Sequence, residues 1–260
     1  MDAHTTVNQR LWDELAPLHA ASDYYDVESF VQGAETLEDT EVREVGDVTG
    51  KRLAHLMCHF GMDSLSWARH GASVTGLDFS RQAVDIARTL ATRTGVEAEF
   101  VCADVMAAAD VLDGTFDVVF LSKGVMMWIE SVSAWAQVCA RLLKPGGVFY
   151  LLEFHPLAMV MSQTKDGLAL QGSYFHSPDP EIVVSDGSYA VSEPGLAHQE
   201  SREWTHSVGE IVTALVDAGI RIDFLHEFRA AENAFTTVSG TKVPTGTSLP
   251  AAFSVRGTRT

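Results

Sequence analysis

Residues 52–83, RLAHLMCHFGMDSLSWARHGASVTGLDFSRQA, decide the fold. RLAHLMCH (52–59) and SVTGLDF (73–79) are short runs that stay apolar along their length instead of alternating with polar residues. Such runs suit strands covered on both faces, which is the situation of a parallel sheet under helices. Between them Met62–His70 reads as a helix, so the stretch is a strand, a crossover and a parallel strand, with the right-handed connection such units take.

The rhythm continues outward. SRQAVDIARTLATRTG (80–95) places Ala83, Ile86, Ala87 and Leu90 on one face of a 3.6-residue period. EFVCAD (99–104) precedes a short helix, and FDVVFLS (116–122) is a fourth strand. SVSAWAQVCARLL (131–143) is a helix stopped by Pro145-Gly146-Gly147, and VFYLLEF (148–154) is a fifth strand. Upstream, NQRLWDELAPLH (8–19) is a short amphipathic helix with Leu11, Leu15 and Leu18 on one side. Downstream, 156–202 is irregular and rich in Gly, Pro, Ser and His; SVGEIVTALVDAGI (207–220) is a helix, and RIDFLHEF (221–228) and LPAAFSVRGT (249–258) are strands. The fold class is α/β, a doubly wound, mostly parallel sheet. A long insertion of the 156–202 kind is a lid, a binding loop or disorder, and its aromatic and histidine content disfavours disorder.

Composition narrows the partners. With 46% hydrophobic and 20% charged residues, the 260-residue chain is ordinary for a globular protein. A formal net charge of −17 argues against nucleic acid, because a phosphate backbone would be repelled. Three cysteines without CxxC spacing suit a reducing compartment. No apolar signal segment opens the sequence, and no stretch approaches the ~18 apolar residues of a membrane span. A cytoplasmic protein, not inserted in a membrane, is expected. No metal is expected either: ten histidines are present, but no HExxH pair.

Three positions at strand ends carry candidate chemistry. Gly61, after the first strand, lets the backbone approach a ligand, and Asp63 and Ser64 are good N-cap types for the helix that follows. Asp78 ends the second strand seventeen residues later. It either accepts both hydroxyls of a ribose or caps the next helix. Asp104 closes the third strand, within reach of an adenine amino group. No GxGxxG occupies the first turn, which disfavours a nicotinamide-dinucleotide site.

In order, HLMCHFG, VTGLDFS, CADV, FDVVFLSKGVMMW and RLLKPGGVFYLLEFHP resemble the class I S-adenosylmethionine-dependent methyltransferases. They are most similar to the bacterial small-molecule branch whose first motif reads close to LQCHFGLDTLS. The likeness runs from about residue 8 to the C-terminus. It implies a Rossmann-like sheet of seven strands, the last inserted antiparallel between the fifth and sixth. It also implies an N-terminal helical cap (1–50), an S-adenosylmethionine-binding core (51–155), a substrate-side insertion or lid after the fifth strand (156–206) and a C-terminal completion of the sheet (207–260). Cys58, His59, Gly61 and Asp63 would then surround the methionine moiety, Asp78 the ribose and Phe79 the adenine face. Asp104 and Val105 would meet the adenine edge, and Ser122 and Lys123 the sulfonium end. Where the wider family has an acid and three glycines at alternate positions, this chain has His55, Met57, His59 and Gly61.

The implied reaction is methyl transfer to a small organic acceptor, aromatic or heterocyclic, in bacterial secondary metabolism, with S-adenosylhomocysteine as product. The alternatives are other chemistry in the same pocket, such as cyclisation, or a binding module without turnover. Candidate general bases are His155 and His206, with Glu153 beside them; each histidine is equally readable as a packing or capping residue. Tyr24, Tyr25, Trp128 and Trp204 are candidate acceptor contacts, joined by Met126, Met127, His176 and Tyr189; Trp135 reads as core. Assembly into a homo-oligomer is left open.

Overall fold

The computed structural model describes residues 2–165, 167–170, 172–192, 194–229, 237–238, 241–242 and 249–260. Seven strands form the central sheet: β1 (Arg52–Leu56), β2 (Ser73–Asp78), β3 (Glu99–Cys102), β4 (Phe116–Ser122), β5 (Leu143–Phe154), β6 (Ile220–Arg229) and β7 (Pro250–Arg259). Their order is β6-β7-β5-β4-β1-β2-β3. β1 to β5 pair in parallel, whereas β7 is antiparallel to both neighbours. This is the doubly wound, Rossmann-like methyltransferase topology.

The helices lie on both faces, as the uniformly apolar strands require. Those of five residues or more are α1 (Ala3–Ala20), α2 (Val27–Val31), α3 (Asp39–Val45), α4 (Met62–Arg69), α5 (Arg81–Thr94), α6 (Val132–Leu142) and α7 (Val208–Asp217). On one face Leu56, Leu77, Val119, Leu121 and Leu151 pack against Trp135 of α6 and Leu215 of α7. On the other, Leu53, Val74, Phe120 and Tyr150 meet Trp67 of α4 and Val45 of α3. α5 buries Ala83, Ala87 and Leu90 against Phe100 and Phe60, the face its spacing dictates.

Two sequence expectations change. Pro145-Gly146-Gly147 does not separate α6 from β5; the strand begins at Leu143, and the register steps from Phe116↔Leu143 to Val118↔Val148. The extra residues bulge out, with Gly146 at φ +77°, so the breaker bends the strand without delaying it. The insertion is not irregular throughout. It contains the hairpins Met161–Thr164 with Gly167–Leu170 and Glu181–Val184 with Glu200–Glu203. No helix among the described residues is long and apolar enough to cross a membrane.

Candidate active site

The carboxyl ends of β1, β2, β4 and β5 open into one cavity of about 1380 Å³. That exceeds the ~300–1,000 Å³ of an ordinary small-ligand pocket, so two ligands have room side by side. The floor is the turn after β1, where Met57 (φ +58°), His59 (+52°) and Gly61 (+81°) take left-handed backbone. For the two non-glycine residues this costs about 1–2 kcal/mol each, held in place by surrounding contacts. At Gly61 a Cβ would fall 2.6 Å from Phe100 Cε1, so nothing larger fits. Gly61 is itself the N-cap of α4, and its side chain is absent. Asp63 and Ser64, expected to cap, lie instead in the first turn. Asp63 Oδ2 accepts from Ser122 Oγ at 3.3 Å, and Ser64 Oγ bonds His55 Nδ1 at 2.8 Å inside the protein.

Asp78 is 7% exposed at the end of β2. Its Oδ2 accepts the His59 N–H at 2.8 Å and its Oδ1 the Ser80 N–H at 2.9 Å, leaving each oxygen further lone-pair capacity toward the cavity. The capping alternative fails, because Ser80 Oγ caps α5. Burial raises the Asp78 carboxyl to about 7, against the pull of those two N–H groups. Asp104 accepts the Met106 N–H at 2.9 Å and caps the single 3₁₀ turn Val105–Ala107 on the same rim. Cys58, Phe79 and Val105 line the cavity beside these acids.

Beyond β4, Lys123 is also left-handed (φ +30°) and its Nζ pairs with Glu38 at 2.8 Å. Burial would lower its pKa, but Glu41, Asp63 and Glu38 around it hold it at about 12. Glu41 is fully buried there, and that burial pushes its carboxyl up to about 8.

Glu153 is not available as a general base. Its Oε1 accepts the N–H groups of Gly124 and Phe154 at 2.6 Å, and its Oε2 those of Val125 and Met126 at 2.7 and 2.8 Å. Four donors saturate the carboxylate, which instead holds the 124–126 loop in place. His155 is corrected as well. Its Nδ1 accepts the Leu157 N–H, capping the turn Pro156–Met159, and its Nε2 meets Glu227 at 3.0 Å. Both ring nitrogens are used, and the residue does not line the cavity.

His206 does line it. Its Nε2 donates to the Ile129 carbonyl at 2.6 Å, and its Nδ1 lies 3.5 Å from Glu210 Oε2. Against the expectation of no metal site, His176, His206 and Glu210 bring one ligand atom each within 4.8 Å of one another. His55 and His59, four residues apart, form no such pair: His55 turns to Ser64, and His59 joins the aromatic cluster described next.

The far end of the cavity is aromatic. Trp12 of α1 packs edge-on to Trp128 at 5.7 Å and to His59 at 5.3 Å between ring centres. Tyr25 stands 5.5 Å from His59 and its hydroxyl bonds that of Tyr189. His19, buried in α1, lies 5.3 Å from His59 and its Nε2 bonds Ser188 Oγ at 2.6 Å. Burial lowers the His19 pKa to about 4 and that of His59 well below the imidazole range, so both rings are neutral. The His59 Nε2 is buried with no hydrogen-bond partner among the described residues. Tyr24 is 65% exposed at the rim, with its ring on Tyr25 and Tyr189. Trp204 is buried, its backbone N–H donating to the Met127 carbonyl at 2.9 Å and its ring edge-on to His4. Trp128 Nε1 donates to the Gly124 carbonyl at 2.8 Å.

Sequence reasoning left Trp12 open between a packing and a functional role, and missed His19 and the His59 ring. The signal was present: Trp12 and His19 are seven apart, two turns along one face of an amphipathic helix.

Residues 55–151 match the protein family described as "Methyltransferase domain". A ubiquinone biosynthesis O-methyltransferase from Shewanella pealeana is 36% identical over 105 residues, 40% of this chain and 44% of that protein. One from Cronobacter sakazakii is 32% identical over 144 residues, 53% and 59% respectively. The chain thus spans about half the length of the curated relatives it matches. An S-adenosylmethionine-dependent methyltransferase from Mesorhizobium loti shares the fold at TM-score 0.61 and 21% identity, covering 88% of this chain and all of that one.

Proposed function

We propose that this chain, a member of the class I S-adenosylmethionine-dependent methyltransferases with S-adenosylmethionine as its cofactor, methylates a small, flat organic acceptor held against the Trp12–His59–Trp128 wall. The observation that carries the reading is the single cavity joining the Asp78–Asp104 rim to the aromatic chamber.

The residues fit the cofactor. Asp78, ionised, accepts the ribose hydroxyls with its remaining lone pairs, and Phe79 and Val105 supply apolar surface for the adenine whose edge Asp104 meets. The left-handed turn through Met57, His59 and Gly61, together with Cys58, faces the amino-acid end. Asp63, Ser122 and Lys123 border the methyl-bearing end. When bound, S-adenosylmethionine supplies an electrophilic methyl group on a positively charged sulfur.

The protein's own contribution is placement and dryness. Orienting two reactants is worth roughly 7–11 kcal/mol of barrier, so an acid–base residue is not obligatory. The aromatic wall excludes water and stacks a planar acceptor. The unpartnered His59 Nε2 is positioned to take a hydrogen bond from an acceptor hydroxyl and turn the oxygen lone pair toward the methyl. The names of the relatives support oxygen as the methylated atom. Of the four residues expected to contact the acceptor, Trp128 and Tyr25 border the aromatic wall, Tyr24 the rim, and Trp204 supports the 3₁₀ turn Met126–Trp128 from behind.

Calorimetry with S-adenosylmethionine and S-adenosylhomocysteine, followed by product formation against phenols, hydroxy-heterocycles, amines and carbon acids, tests this. One-to-one binding with turnover on planar hydroxyl compounds is expected. Binding to neither nucleoside removes the cofactor reading, and binding without S-adenosylhomocysteine formation on any acceptor removes methyl transfer.

A further inference from the structure

We propose that His176, His206 and Glu210 form a binding site for a divalent transition-metal ion of the zinc class, which pins the insertion to the core beside the cavity. The site rests on the cluster itself and does not depend on the reaction proposed above.

Two segments converge there: His176 comes from the insertion, and His206 and Glu210, four residues apart, flank the start of α7. Each offers one ligand atom, and these lie within 4.8 Å of one another. The His206 tautomer is fixed by its own hydrogen bond. Because Nε2 donates to the Ile129 carbonyl at 2.6 Å, Nδ1 of the neutral ring carries a lone pair. That lone pair faces a carboxylate oxygen of Glu210 at 3.5 Å. Two electron-rich atoms set against each other call for a positive charge between them. A metal ion would supply it.

His176 supplies an independent indication. Its ring stacks on that of His206 at 4.9 Å and 14°, and among the described residues its Nδ1 is buried without a hydrogen-bond partner, as is His206 Nδ1. Two imidazole nitrogens and a carboxylate are the donor set that zinc and its neighbours take, with a further position left for water. Bonds of ~2.0–2.2 Å would bring the ligand atoms to roughly 3.4 Å apart, so binding requires the two stacked rings to turn toward a common point. The Ile129 carbonyl serves as the outer partner that such histidines commonly have on their second nitrogen. A space of about 350 Å³ lined by Glu130, Ser131, Ser133, His176 and Glu210 opens alongside, giving an ion a route in and an acidic surrounding. Glu130, Ser131 and His206 also line the main cavity, so an ion here would fix one wall of the acceptor chamber.

The full chain, stripped with a chelator, should bind one Zn²⁺ in a dialysis titration, and Co²⁺ should develop visible d–d bands of a low-coordinate nitrogen–oxygen site. His176→Ala and Glu210→Gln, two separate partly exposed positions, should each weaken Zn²⁺ binding by about 100-fold or more. Zn²⁺ should raise the melting temperature of the parent but of neither variant, with circular dichroism confirming that both fold. Absence of saturable binding, or parent-like binding in both variants, overturns the proposal. So does a ¹⁵N imidazole spectrum showing His206 doubly protonated near neutral pH with Zn²⁺ present.

Discussion

Replacing Glu153 with Gln alters a single atom, yet four backbone N–H groups converge on that carboxylate from Gly124, Val125, Met126 and Phe154. Each oxygen receives two of them, so whichever way the amide turns, its NH₂ confronts two donors. Two charge-assisted hydrogen bonds are lost, at ~1.5–3 kcal/mol each, and the two that remain fall to neutral strength. Relief of charge burial returns part of this, leaving a net loss of about 2–4 kcal/mol. For a chain of this size that corresponds to a melting temperature lower by roughly 5–15 °C. Urea unfolding followed by tryptophan fluorescence measures it. Glu227→Gln, at a half-exposed carboxylate that pairs with His155, is the control and should stay within about 0.5 kcal/mol of the parent. Because the clamped loop leads from Lys123 to Trp128, nucleoside affinity should fall in parallel. A Glu153→Gln protein as stable as the parent, binding S-adenosylhomocysteine equally well, would show that the carboxylate does not hold this loop.

Asp78→Asn should weaken S-adenosylhomocysteine binding about 100-fold by calorimetry, the loss of two hydrogen bonds to a charged acceptor, with little change in fold. The same affinity should drop as pH falls below about 7, approaching tenfold per unit, because the ribose needs the ionised carboxylate and burial has raised its pKa to about 7. Stability of the unliganded protein moves the other way: the cost of keeping Asp78 charged is fully present above about 7 and disappears as pH falls toward the ordinary carboxylate range. Gly61→Ala should cost about 2–4 kcal/mol in urea unfolding, since its methyl group meets Phe100 and its backbone is left-handed. His59→Phe should leave nucleoside affinity within about threefold while lowering kcat on a hydroxyl acceptor by about tenfold or more.

The sheet was legible because strands buried on both faces leave an unmistakable record: RLAHLMCH, SVTGLDF and FDVVFLS hold almost no surface residue. The placement of Asp78 and Asp104 followed, since a crossover unit delivers each strand's last residue to the same edge. What escaped was anything decided by backbone groups from distant segments. Glu153 and His155 look like catalytic residues in a sequence, and only the converging N–H groups of 124–126 and of Leu157 reveal them as fasteners. The hairpin Glu181–Val184 with Glu200–Glu203 escaped because its strands are short, charged and separated by fifteen residues. The meeting of His176 with His206 likewise depends on where the insertion returns. The i to i+4 pairing of His206 with Glu210 was readable, but one pair is not a ligand set.

α1 touches both halves of the cavity's rim. Gln9 and Asp13 hold Phe79 and Ser80 after β2, while Asn8 and Glu14 hold Arg202, Ala197 and His198 of the insertion. One helix therefore ties the β2 edge of the cavity to the segment that returns over it. Under the proposed reaction, donor and acceptor would share that cover, and removing the first twenty residues would take it from both at once.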